Sequence, residues 1–128
     1  MKEFENNAYF WQKLDTLFLS SDLIINRPKG STHPKYHNLV YPVNYGYLKE
    51  ESLKDHIGCY KGSVNTYSVT ALVLCADILK KDIEAKLLIG CTPEEEREIL
   101  EFLNQTDFQK TVIMRRGSDL PDWASPNN

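Results

Sequence analysis

The sequence predicts an α+β domain in which a few strands form a small barrel or a strongly curled sheet. Helical spacing of apolar residues occurs near the N-terminus and again near the C-terminus. Between them lies a nearly continuous apolar run, TYSVTALVLCADIL, which is typical of a strand buried on both faces. The predicted order is helix, strand, irregular segment, hairpin, helix and strand.

Size and composition favour a single domain over residues 1–128. The chain has 128 residues, enough for one hydrophobic core, and 41% hydrophobic with 26% charged residues is ordinary for a globular protein. We expect an N-terminal helix within 1–21 and the barrel with its second helix within 22–116. The segment 117–128, rich in Pro, Ser and Asn, is expected to be a flexible tail.

The first helix is predicted over residues 6–19. Its apolar side chains recur at the spacing of one helix face, and Asn6 or Asn7 can cap its start. We expect this face to pack on the core. A helix that binds a partner, for which a homo-oligomer contact is the natural case, is the alternative. The apolar residues are Phe10, Leu14, Leu17 and Phe18, with Trp11 beside them.

The segments after this helix are less regular. DLIINR, residues 22–27, reads as a short strand that Pro28 stops. Residues 27–47 hold too many Pro and Gly for regular structure, apart from a short strand around 39–41. Residues 48–63 are polar and predict turns.

The second half of the chain gives stronger signals. Strands are predicted over 66–79 and over 84–91, and the turn at 80–82 between them makes a hairpin. A helix is predicted over 92–104, because Thr92, Pro93 and Glu95 supply an N-cap, a first-turn proline and a capping box. The helix should face the core with Ile99, Leu100, Phe102 and Leu103. KTVIMRRG, residues 110–117, predicts a last strand.

Charge and cysteine content exclude several classes of protein. The formal net charge of −3 argues against broad nucleic-acid binding, which needs an excess of basic surface. Three cysteines without paired short spacing predict free thiols in a reducing cytoplasm rather than disulfides or a zinc site. The N-terminus lacks the pattern of a secretion signal, and no apolar run approaches the roughly 20 residues that span a bilayer. We therefore expect a cytoplasmic protein without membrane partners.

One stretch, RPKGSTHPKYHNLVYPVNYGY over residues 27–47, has the composition of an anion site. It contains Arg27, Lys29 and Lys35 with four tyrosines, and it has no carboxylate although acids outnumber bases in the chain. Guanidinium, ammonium and phenol groups all donate to phosphate, and a carboxylate would compete for the cations. The alternative is a solvated loop beside a tyrosine-lined core. The loop GxxxxGK[ST] of common nucleotide sites is absent.

The same stretch resembles the family I soluble inorganic pyrophosphatases, and most closely a short bacterial branch of that family. The resemblance is carried by IINRPKGSTHPK followed by YPVNYGY, within residues 24–48. It implies a small OB-like five-stranded β-barrel with an N-terminal and a C-terminal helix. It also implies a site at one mouth of the barrel, where Mg²⁺ and cationic side chains hold pyrophosphate while a metal-activated water attacks.

The resemblance assigns roles to individual residues. Lys35 matches a phosphate-binding lysine, and Tyr45 matches a tyrosine whose hydroxyl reaches phosphate. Arg27 matches an arginine before proline that we expect to face the anion, so these three are the candidate catalytic residues. Tyr41 matches the first tyrosine of the motif, either as packing or as chemistry. Lys29 completes the predicted substrate-binding set.

The acidic half of the family's site is only partly present. Where the branch carries an aspartate cluster, this chain has LKDHIGCYKGS, which leaves Asp55 as the candidate metal ligand and Gly58 in place of an aspartate. Asn26 stands where the branch has aspartate before the arginine. Mg²⁺ prefers anionic oxygens, so these changes thin the metal half of the site. Three further acids could supply ligands, although a solvated hairpin tip is the simpler interpretation. They are Asp77, Asp82 and Glu84.

The histidines do not predict a metal site. His33 and His37 flank Pro34, so they cannot lie on one helix face, and no carboxylate or cysteine stands at a convincing spacing from them or from His56. Loop histidines that donate to backbone or to phosphate are the expectation.

Three functions stay open on the sequence. The first is a divalent-metal-dependent hydrolase of pyrophosphate or a related phosphoanhydride, with activity weakened or lost. The second is a non-catalytic binder of a phosphorylated small molecule or nucleotide on a degenerate pyrophosphatase barrel. The third is an interaction protein that uses its aromatic N-terminal helix.

Overall fold

The computed structural model describes residues 6–52, 56–66 and 68–117, and these form two helices and six strands. The first half of the chain holds one helix and three strands: α1 (Ala8–Leu19), β1 (Asp22–Arg27), β2 (Asn44–Lys49) and β3 (Ile57–Lys61). The second half holds β4 (Val69–Asp77), β5 (Asp82–Ile89), α2 (Pro93–Leu103) and β6 (Gln109–Arg115).

The strands form one mixed sheet in the order β1-β2-β3-β5-β4-β6. β3 and β5 are parallel, whereas each of the other neighbouring pairs is antiparallel. The α+β class is confirmed. Within the described residues the sheet is open and has six strands, so a closed five-stranded barrel is not what the chain forms there.

Two strands were missed by the sequence prediction. β2 lies in a stretch expected to be irregular, and β3 lies in a segment expected to be turns. Both are short and contain Gly, and their strand geometry comes from pairing with each other and with distant strands on either side. The strand expected around 39–41 is only an isolated bridge between Thr32 and Val40.

One face of the sheet is covered by α1. Trp11 is fully buried there, and its indole nitrogen donates a hydrogen bond to Asn6 Oδ1. Asn7 caps the helix by accepting from the backbone nitrogens of Tyr9 and Phe10. Phe10 is 40% exposed, so the expected apolar face is centred on Trp11 rather than on Phe10. The sheet residues of this core are Leu48, Cys59, Val69, Leu72, Leu87 and Ile89.

The other core cluster contains α2. The α2 helix begins as predicted, because the Thr92 hydroxyl accepts from Glu95 N and the Glu95 carboxylate accepts from Thr92 N. The α2 side chains that contribute to this core are Ile99, Phe102 and Leu103, with Leu100 partly buried beside them. The sheet and loop residues of this core are Tyr41, Val43, Tyr60, Ala71, Val73, Cys75, Leu88 and Cys91.

The hairpin prediction is confirmed by the pairing of β4 with β5. Asp77 is an exception to the expected solvated tip, since it is buried and its carboxylate accepts from the backbone nitrogens of Leu79 and Lys80. It therefore shapes the turn that connects the strands. Neither described helix is long and apolar enough to cross a membrane. The tail expected to be flexible, beyond Gly117, lies outside the described residues.

Candidate functional site

A cavity of about 450 Å³ opens beside the core that contains α2. Three residues of the predicted anion stretch line it, namely Lys35, Tyr41 and Tyr45. Lys86 of β5 and Phe102 of α2 also line it. The cavity is therefore lined by a loop, two strands and a helix that are far apart in the sequence.

Tyrosine rings form the wall between this cavity and the core. Tyr45 stacks on Tyr41 with ring centroids 5.6 Å apart and lies 4.6 Å from the ring of Tyr60. Tyr41 is also 4.8 Å from Phe102 of α2. Because Tyr45 packs against two other rings, the position of its hydroxyl at the edge of the cavity is restrained.

Lys86 is a candidate site residue that the sequence did not predict. Its Nζ donates a hydrogen bond to the Tyr45 hydroxyl over 3.1 Å and forms an ion pair with Glu84 Oε2 over 3.0 Å. The Lys86 side chain is only 17% exposed. The sequence did contain a signal for this residue. Lys86 stands two residues before Leu88 in β5, so the two side chains lie on the same, inward face of the strand. A lysine at such a position needs polar partners.

The surroundings of Lys86 keep it charged. Burial alone would lower the pKa of Lys86, but Tyr45 and Glu84 outweigh that effect and raise the pKa. Hydrogen bonding and charge from Lys86 in turn lower the pKa of Glu84. Lys86 is therefore a fixed cation near neutral pH, with one hydrogen-bond donor left beyond its two partners.

The other predicted cations are distributed unevenly. Arg27 lies near Tyr41: burial and the neighbouring Tyr45 raise the pKa of the Tyr41 hydroxyl, while Arg27 lowers it by charge and hydrogen bonding. Lys35 is an exposed residue of the cavity wall. Lys29 is exposed and does not line this cavity; its backbone nitrogen donates to Asn44 Oδ1.

Two acidic residues, Asp77 and Glu84, line the same cavity as Lys35. In the part of the chain that the structure describes, no carboxylate forms an ion pair with Arg27, Lys29 or Lys35. Lys80, from the turn after β4, adds a further cation to the same cavity.

His33 lies among these cations. Its Nδ1 accepts hydrogen bonds from the backbone nitrogens of Lys35 and Tyr36 at 3.0 and 3.3 Å. The pKa of His33 is lowered by burial first and then by the charges of Arg27, Lys80 and Lys35. His33 therefore accepts from the loop backbone through Nδ1 rather than donating to it, and the other expected role, donation to phosphate, stays a prediction. The neutral ring then carries its proton on Nε2.

Acidic groups lie around a second cavity of about 680 Å³ that shares Tyr45, Glu84 and Lys86 with the first. Asn26 and Gly58, the two departures from the family pattern, both line it, as do Asp82 and His56. His56 stacks on Tyr47 with ring centroids 4.2 Å apart.

The described residues do not supply a complete metal site. Over 6–52, 56–66 and 68–117, no three His, Cys, Asp or Glu residues are grouped so that they could hold a metal ion. Glu84 is already paired with Lys86, which reduces its availability as a ligand. Asp55, the predicted metal ligand, lies outside the described residues.

No protein-family model matches this chain, and no curated protein is significantly similar to it.

Proposed function

We propose that this chain binds pyrophosphate or a related phosphorylated small molecule in the cavity between Tyr45, Lys35 and Lys86. The observation that carries the proposal is Lys86, a largely buried ammonium held 3.1 Å from a tyrosine hydroxyl at a cavity wall. Burial of a cation costs free energy, and a bound anion would offset that cost.

The donors that remain free suit a phosphate group. Lys86 has one N–H beyond its bonds to Tyr45 and Glu84, and the Tyr45 hydroxyl, which accepts from Lys86, keeps its own proton to donate. His33 offers Nε2–H, since Nδ1 accepts from the loop backbone. Together with Lys35 and Lys80 these groups can satisfy several phosphate oxygens at once.

Hydrolysis of the bound phosphoanhydride with a divalent metal is the second candidate function. It is favoured by the carboxylates of Asp82 and Glu84 at the second cavity, next to the Tyr45 and Lys86 side chains. The resemblance to family I pyrophosphatases points the same way. Mg²⁺ would supply an activated water and charge neutralisation, held by these acids, by Asp55 and by the substrate's own oxygens. Because the described acids form no cluster of three, we derive no catalytic step through the metal.

Binding is tested by calorimetric titration of pyrophosphate into the metal-free protein. We expect Lys86→Met to weaken binding by about tenfold or more, the effect of losing a charge-assisted hydrogen bond. Lys35→Ala should weaken binding less, because Lys35 is exposed. The control is Lys13→Met, which removes an exposed lysine of α1. Equal affinity of wild type and Lys86→Met for pyrophosphate would refute the proposed site.

Hydrolysis is tested by phosphate release from pyrophosphate with Mg²⁺ or Mn²⁺. Release that is lost in Lys35→Ala and in Asp55→Ala supports the hydrolase. No release from a wild-type protein that binds pyrophosphate through Lys86 supports the binder instead.

A further inference from the structure

We infer that the natural ligand of this cavity is a phosphate ester that carries an aromatic ring, such as a nucleoside diphosphate. This inference rests on the proposed function and names its substrate class. The reason is that the cavity is larger and more aromatic than an inorganic phosphate needs. A volume of about 450 Å³ falls within the range of roughly 300–1,000 Å³ that holds drug-sized organic ligands.

Besides Tyr41, Tyr45, Tyr60 and Phe102, two further aromatic residues line the cavity. We call Tyr36 and Phe108 the aromatic ledge; their ring centroids are 5.8 Å apart. Tyr36 is 40% exposed, so it is not simply a core residue. Pyrophosphate has no apolar surface that could use this ledge, whereas a nucleobase can stack on it.

The aromatic ledge connects to the phosphate-binding groups by a continuous series of ring contacts. Tyr36 lies 5.1 Å from the ring of His33, and His33 stacks on Tyr41 at 6.4 Å. Tyr41 stacks on Tyr45, whose hydroxyl bonds to Lys86. The ledge and Lys86 therefore stand at opposite ends of this series, so one ligand can place a ring on the ledge and phosphates toward the cations.

The ledge is fixed by backbone hydrogen bonds rather than by chance packing. The Tyr36 nitrogen donates to His33 Nδ1, and the Tyr36 carbonyl accepts from Leu39 N. The Phe108 carbonyl accepts from Ile78 N over 2.9 Å, which ties it to the turn after β4. Because the backbone of both residues is held and their rings pack on each other, less ordering is needed on binding.

The test compares ADP with inorganic pyrophosphate by calorimetry on the full chain without metal. ADP has one ionisable oxygen fewer than pyrophosphate, so charge alone would make it the weaker ligand. We expect ADP to bind more tightly, and Tyr36→Leu and Phe108→Leu each to weaken ADP by about tenfold, as for loss of base stacking. Pyrophosphate affinity should stay within about twofold in both variants. The matched control is Tyr9→Leu, which removes a tyrosine of α1 whose exposure is similar to that of Tyr36.

The outcomes separate this inference from the proposed function. If pyrophosphate binds through Lys86 but ADP binds no better, or if the ledge variants leave ADP affinity unchanged, the inference is overturned and the proposed function stands. If Lys86→Met leaves pyrophosphate binding intact, or neither ligand binds the wild type, the proposed function fails and the inference fails with it.

Discussion

The hydroxyl of Tyr45 lies directly against the backbone of Gly58. A Cβ atom at position 58 would come within 2.5 Å of Tyr45 Oη, closer than packed atoms approach, and within 3.3 Å of Tyr45 Cζ, which is a tight contact. The ring of Tyr45 cannot easily move away, because it packs against the rings of both Tyr41 and Tyr60. The missing side chain of Gly58 therefore lets the Tyr45 hydroxyl reach Lys86. An aspartate at position 58 would displace that hydroxyl.

The first prediction is that Gly58→Ala destabilises the fold through Tyr45. We expect the free energy of unfolding to fall by about 1–3 kcal/mol, as for other overpacked sites. In a Tyr45→Phe background the substitution should cost less, because the atom at 2.5 Å is gone. The coupling between the two changes should be about 0.5–3 kcal/mol, read from urea unfolding of the four proteins. Strictly additive losses would show that the two residues do not restrain each other.

A second prediction concerns the attachment of α2, which carries Phe102 at the cavity. Glu96 is buried in α2, and its carboxylate accepts from Arg115 Nε of β6 over 3.0 Å. Arg115→Met leaves this carboxylate without its partner, so we expect unfolding free energy to fall by about 1–3 kcal/mol near neutral pH. Adding Glu96→Gln to that variant should recover part of the loss, because it removes the unpaired charge. No recovery in the double variant would mean that Arg115 acts by packing alone.

The elements that the sequence predicted well are those specified by local chemistry. The start of α2 follows from Thr92 and Glu95, whose reciprocal bonds need no distant residue. Glu95 also accepts from the backbone nitrogen of Ser63, a contact across the fold that no local pattern reveals. The β4–β5 hairpin was likewise predicted from an apolar run and the turn that follows it.

The features that escaped prediction depend on long-range pairing. β3 lies between β2 and β5, so IGCYK becomes a strand only when distant partners supply its hydrogen bonds. Of the predicted site residues, Lys35, Tyr41 and Tyr45 line one cavity, whereas Arg27 and Lys29 do not line it. Lys86 was not predicted as a site residue, because β5 was interpreted only as a structural strand. Its partner Tyr45 is far away in the sequence.

The third prediction is that the cysteines are unreactive in the native protein. Burial raises the pKa of both Cys59 and Cys91 to about 12, and burial also raises the pKa of Cys75. At about pH 8 only about one Cys59 thiol in ten thousand is then ionised, and the thiolate is the reactive form. We expect negligible labelling by an aromatic disulfide reagent in buffer and labelling of all three thiols in urea. Labelling of a native thiol within seconds would contradict the buried positions.

The last prediction is an acid-dependent loss of stability through His33. The pKa of His33 in the fold lies below its usual 6.5, owing to burial and then to Arg27, Lys80 and Lys35. The unfolded chain therefore binds more protons just below about pH 6.5, and stability must fall as the pH drops through that range. Above about pH 6.5 the contribution is fully present. Urea unfolding at a series of pH values should show this slope in wild type.

Two variants test whether His33 is the cause of that slope. His33→Asn can still accept from the Lys35 and Tyr36 nitrogens but cannot be protonated, so the slope should flatten. Lys80→Met removes one of the nearby charges and should raise the pKa of His33 toward 6.5, as followed by NMR of its ring protons. Pyrophosphate should raise it further, because a bound anion offsets Arg27 and Lys35. Two results would contradict this description of His33 and the cations around it. One is a pKa of His33 above 6.5 in the wild type, and the other is an unchanged slope of stability against pH in His33→Asn.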